Sequence, residues 1–172
     1  MKRHALFLVM VGAAHAAVLD RVAVTIGKDV VTESEVMEEI RLTDFQNQSP
    51  LDVSPKARLA AAERMVDQDL IRVEMKLENF APPPASVDQT LREFKQAHFR
   101  THAQYLASLR KYGITEDQLK RYLVWQLAAL RFTEQRFHAE KSADTAVDEP
   151  MDAWLKETRA QTKIQFHKEA LE

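Results

Sequence analysis

A mainly α-helical chain with a small β-sheet joining its two ends is the fold class this sequence predicts. Three observations predict it. A short apolar alternation near the start closes as a hairpin and runs into a capped helix. Most of the chain beyond that hairpin is broken by successive helix starts. A last alternating run, 163–167, reads as a terminal strand. Only 3 glycines occur in 172 residues, which argues against a turn-rich all-β fold and against glycine-rich phosphate loops.

At the N-terminus, Lys2 and Arg3 precede a short apolar run, 5–12, and Ala14-His15-Ala16 fits a small-x-small cleavage site. Residues 1–16 are therefore expected to be a signal peptide, cut between Ala16 and Ala17. The run is far shorter than the ~20 residues that span a bilayer. Residues 17–172 are expected to form a single domain. In 22–26, Val22, Val24 and Ile26 alternate with Ala23 and Thr25, the period of a strand with one buried face. Gly27-Lys28-Asp29 makes the turn and Val30-Val31 the return. Thr32-Glu-Ser-Glu35 is a capping box opening a helix that reaches about Asn47.

Ser54-Pro55 is an N-cap with proline at the first helical position. The helix behind it carries a stripe of Leu59, Ala62, Val66, Leu70, Val73 and Leu77. Phe80 to Pro84, with three successive prolines, ends it. A third helix turns Val87, Leu91 and Phe94 inward. A fourth, opened by Thr101, turns in Tyr105, Leu106 and Leu109 and is capped by Gly113. The fifth, 115–138, is apolar on two faces: Leu119, Leu123, Leu127 and Leu130 on one, Tyr122, Trp125, Ala129 and Phe132 on the other. Either it is a central helix buried all round, or one face lines a groove for extended peptide. Residues 141–147 are polar and small, hence a linker, and Pro150 starts a last helix over 151–162. Ile164 and Phe166 in the terminal strand are expected to pair with the opening hairpin, because a two-stranded hairpin alone is marginal.

Composition narrows the chemistry. Removing Lys2 and Arg3 leaves 22 basic against 26 acidic residues, a charge of -4, which gives no electrostatic reason to bind nucleic acid. Cysteine is absent, so there is neither a thiol nucleophile nor a thiolate metal site. His98 and His102 stand four apart, as two metal ligands on one helix face could, but a helix break is expected between them and no metal is assigned. Glu33, Glu35, Glu38 and Glu39 read as favourable charge at a helix start. Asp67 and Asp69 read as partners of Arg64 and Arg72 on a solvated face. No Gly-x-Ser-x-Gly elbow, Ser/His/Asp arrangement or P-loop occurs. Neither catalytic residues nor a cofactor are assigned.

Residues 20–36 resemble the opening block of the N-terminal chaperone domain of the SurA family, where Val-Ala-x-Val, a turn and Val-(Val/Ile) lead into a capped helix. The helix over 59–78, with Arg-Met-Val-Asp-Gln-Asp-Leu-Ile at 64–71, is similar to that family's second helix. Residues 99–122, with Tyr112-Gly-Ile-Thr, resemble its middle. Residues 154–164 resemble the closing helix and strand of related secreted foldases of the PrsA type. In many such proteins a parvulin prolyl isomerase domain lies between the long helix and the closing one. Here that place, 139–149, is far too short to hold one.

The resemblance implies a periplasmic, ATP-independent chaperone without the isomerase module. It would bind unfolded or nascent envelope proteins, such as outer-membrane proteins in assembly. Met37, Met65 and Met75 are candidate client contacts because flexible thioethers suit varied partners. Tyr122, Trp125 and Phe132 are candidates because aromatic rings bury much area at low entropic cost. A homodimer exchanging terminal strands is a further expectation. The alternatives are a prolyl isomerase or its accessory, and a module for one dedicated partner.

Overall fold

Strand β1 (Val22–Ile26) lies at the centre of a three-stranded antiparallel sheet, between β2 (Asp29–Thr32) and the C-terminal β3 (Ile164–Phe166). The computed structural model describes residues 20–78, 87–138 and 148–172. The expected signal and its cleavage site at Ala16 and Ala17, the proline run and the expected 141–147 linker lie outside the described residues. The chain is mainly helical, as its patterning predicts, and the terminal strand does pair with the opening hairpin. Val24 faces Phe166, and Ile26 faces Ile164.

One detail of β1 departs from strict alternation. The register slips between Val22 and Val24, so Ala23 and Val24 are both fully buried while Val22 is exposed. A bulge puts two residues opposite one and turns consecutive side chains inward.

Helix α1 (Glu33–Gln46) opens on the expected capping box: the Thr32 hydroxyl accepts from the Glu35 N–H at 3.3 Å, and the Glu35 carboxylate accepts from the Thr32 N–H at 2.8 Å. Thr32→Ala removes one half of that exchange. It is expected to cost about 1 kcal/mol, measured by urea unfolding, and Thr32→Ser much less.

Helix α2 (Pro55–Leu77) begins on Ser54 with proline inside the first turn. The stripe read for it holds only in its middle. Ala62, Val66 and Leu70 are buried, but Leu59, Val73 and Leu77 are exposed, and Ala61, Ile71 and Met75 are buried instead. The reason is a change of neighbour along the helix. Its first half packs on the sheet and α1 and its second half on α5 (Glu116–His138), while α6 (Asp148–Gln161) runs along both.

Helices α3 (Val87–His98) and α4 (His102–Tyr112) cover the far end of α1. The inward face of α4 is Tyr105, Leu109 and Tyr112; Leu106, one position round the helix, is 37% exposed. Gly113 ends α4 in the left-handed conformation, φ 65°. Helix α6 starts at Asp148, so the last two residues of the short 139–149 stretch are helical. Pro150 is tolerated because its missing N–H falls in the first turn.

Among the described residues, three apolar clusters hold these elements. The sheet packs on Val36, Ile40, Ala62 and Val66, with Ala170 and Leu171 closing it from the C-terminal turn Lys168–Ala170. Phe45 centres the second, among α3, α4 and the start of α5. Ile71, Met75, Ala128 and Phe132 form the third, with Trp154 of α6 against it. Helix α5 thus runs from one cluster to another and is not buried all round: Val124 is 41% and Leu130 56% exposed.

Several polar ties cross between helices. Arg159 of α6 donates to Asp67 at 2.6 Å, to the Glu63 carboxylate at 2.7 Å and to the Glu63 carbonyl at 2.9 Å. Arg64 pairs with Glu39 of α1. The expected pairing of Asp67 with Arg64 or Arg72 on its own helix is therefore replaced by cross-helix pairs, which shorter distances and partial burial favour over solvated i,i+4 contacts.

Asp69 has no such pair among the described residues. Burial, and then the nearby Asp29 carboxylate, raise its pKa above the ordinary 3.8, against the pull of Arg72 and Lys76. A raised carboxyl disfavours the folded state once ionised, so the penalty is present at neutral pH and vanishes below the ordinary value. Asp69→Asn is expected to stabilise the protein at pH 7 and to lose that gain by about pH 3. Equal gains by urea unfolding at both pH values would rule this out.

Candidate functional site

Helices α1, α2 and α5 leave an open cleft of about 250 Å³ between them. Glu35, Glu38, Glu39 and Leu42 line it from α1, Met65, Gln68 and Arg72 from α2, and Gln118, Arg121, Tyr122 and Trp125 from α5. Helical spacing explains each set. Positions 35, 38, 39 and 42 share one face of α1, 65, 68 and 72 one face of α2, and 118, 121, 122 and 125 one face of α5.

The apolar wall is Leu42, Met65 and the two rings. The Arg72 guanidinium lies over the Trp125 ring, 4.3 Å from its centroid, and donates to Gln68 at 3.4 Å. That stacking fixes the indole as a shelf. Gln118 bridges across to Glu38 at 2.9 Å. Arg121 stands exposed on the rim, its side chain making no ion pair or hydrogen bond among the described residues.

Glu39 forms the floor, with its side chain 6% exposed. Gln68 donates to it at 3.1 Å, and Thr43, Tyr122 and Arg64 reach it at 3.4 to 3.5 Å. Burial, and then the Glu39 charge, raise the Tyr122 pKa, so the phenol stays protonated at neutral pH and donates. Its burial sets Glu39 apart from Glu33, Glu35 and Glu38, which are half-buried or exposed. A signal for it does exist in the sequence: Glu39 stands three residues after Val36 and three before Leu42, on the apolar stripe of α1.

Of the six expected client contacts, Met65, Tyr122 and Trp125 come together in this cleft. Met37 is half-buried against the sheet cluster instead. Met75 and Phe132, 9% and 1% exposed, lie inside the third cluster. Neither offers surface to a partner, because the C-terminal half of α5 is covered by α2 and α6. His98 ends α3 and His102 begins α4, so the break expected between them is present and they do not share a helix.

A second, smaller hollow of about 180 Å³ lies where α3 meets α4, among Lys95, Phe99, Arg100 and His102. Among the described residues no helix is long and apolar enough to cross a membrane. No family model matches the chain, and no curated protein matches it.

Proposed function

We propose that this protein is an ATP-independent extracytoplasmic chaperone of the SurA N-terminal type, holding unfolded or nascent envelope polypeptides against aggregation. The observation that carries the reading is the cleft, in which Met65, Tyr122, Trp125 and Leu42 present an apolar wall framed by hydrogen-bonding side chains. An open hollow of this size takes one or two side chains of an extended segment. Such contact is weak per site and reversible, which suits many clients. The likeness of residues 20–36 to that family's opening block and the export signal read at 1–16 support the compartment.

The test is aggregation of several unrelated denatured proteins in the presence of the purified chain, with a photo-crosslinker placed at Trp125. Suppression of several clients, with labelled client at Trp125, supports the reading. Activity on a single partner favours a dedicated interaction module. Catalysis in a proline-limited peptide assay, abolished by a parvulin inhibitor, favours an isomerase. No suppression and no labelling at Trp125 would remove the proposed surface.

A further inference from the structure

Glu39 is the most enclosed charge among the described residues, and it is short of donors. Its carboxylate can accept about four hydrogen bonds. The contacts it makes all fall on one oxygen, Oε1: one at 3.1 Å from Gln68 and three at 3.4 to 3.5 Å. The other oxygen, Oε2, accepts from none of the described residues and is not fully enclosed, so it opens to solvent through the cleft. Its formal counter-ion, Arg64, is 3.5 Å away and 45% exposed. That oxygen is left to solvent in the cleft, or to a donor on a bound segment that takes the solvent's place.

The cleft provides the route. Glu38, one position before Glu39, likewise accepts with only one oxygen, from Gln118. Leu42, Met65 and Tyr122 stand around the same hollow. Resting on the chaperone reading above, we propose that the cleft selects extended polypeptide segments carrying a lysine, its ammonium reaching Glu39 Oε2 and Glu38 and its four-carbon stem lying along the apolar wall. A flexible apolar stem ending in three donors fits a hollow with an apolar wall and an under-supplied carboxylate floor. Three nearby arginines oppose a cation and limit the margin a lysine can gain. Arg72 is stacked on Trp125, Arg64 leaves the floor toward solvent, and Arg121 stands on the open rim, where its field is screened.

The experiment compares three fluorescent unstructured peptides identical except at one central residue: lysine, norleucine or glutamate. Binding to the full chain is measured by anisotropy at low and high salt. The lysine peptide is expected to bind about tenfold tighter than the norleucine peptide, the effect of one charge-assisted hydrogen bond, and to lose part of that margin in salt. Glu39→Gln and Glu38→Gln are each expected to bring the lysine-to-norleucine ratio toward one. A ratio is read so that a general loss of folded protein cancels. Equal binding of lysine and norleucine peptides overturns the lysine inference and leaves the chaperone reading standing. Preference for glutamate, through Arg121, overturns it as well. Failure of all three peptides to bind overturns both.

Discussion

Phe45→Ala is expected to destabilise the protein by about 4 kcal/mol, the range for emptying a fully enclosed aromatic site. Phe45 is 0% exposed. Its ring lies 5.5 Å from Phe94, 6.0 Å from Phe99, 6.3 Å from Tyr105 and 5.6 Å from Tyr112, the two tyrosines in T-shaped arrangement with it. Each such pair adds to simple burial. These partners come from α3, α4 and the segment between them, so removing one ring loosens three segments at once. Rigid helices cannot collapse onto the space, which keeps the cost at the upper end. Urea unfolding should show a lower midpoint with an unchanged slope. Thermal unfolding should fall by roughly 10 °C. Phe94→Ala, at a half-buried position in the same cluster, serves as control and should cost less than half as much. A Phe45→Ala loss no larger than the control's would show that the ring is not the hub of this cluster.

Val24→Asp is expected to abolish folding at 25 °C. Val24 is 0% exposed, in the middle strand, facing Val31 on one side and Phe166 on the other. An aspartate there would lie beneath α2 within an apolar cluster, at a cost of several kcal/mol beyond the lost valine packing. That total is comparable with the whole stability of an ordinary domain. Val30→Asp is the matched control: the same substitution, on the neighbouring strand, at a site 53% exposed. It should change stability by no more than about 0.5 kcal/mol. Circular dichroism and urea unfolding of the two variants side by side decide the matter. A folded Val24→Asp protein would mean that the sheet is not the keystone of the first cluster.

These two positions also mark how far the fold is legible in the sequence. The hairpin, the Thr32–Glu35 box, the Ser54-Pro55 start, the Gly113 cap and the pairing of β3 with β1 are all legible, because each rests on local chemistry or a short period. The face each long helix turns inward is legible only in part. Periodicity fixes which residues share a side of a helix, but not which side a neighbour covers. Helix α2 changes neighbour at its middle, and so Leu59 and Leu77 fall outside the packing their spacing promised. Helix α5 passes from one cluster to another in the same way, which buries Phe132 and leaves Leu130 in solvent.

The candidate site divides along the same line. Met65, Tyr122 and Trp125 stand out by residue type, and the packing of three helices brings them to one cleft. Met37, Met75 and Phe132 stand out equally and are spent on packing. Glu39 does not stand out by residue type among four glutamates in seven residues; only its place between Val36 and Leu42 on the apolar stripe marks it.

Local patterns thus set the order and the ends of the elements, and they foretell the closing of the two chain ends on one small sheet. Capping, turn and alternation signals act over a few residues and need no distant partner. Which apolar faces are covered, which charges pair across helices, and the hollow floored by Glu39 were settled by tertiary packing instead. Those outcomes depend on how elements far apart in the chain are placed against one another, and no local pattern encodes that distance.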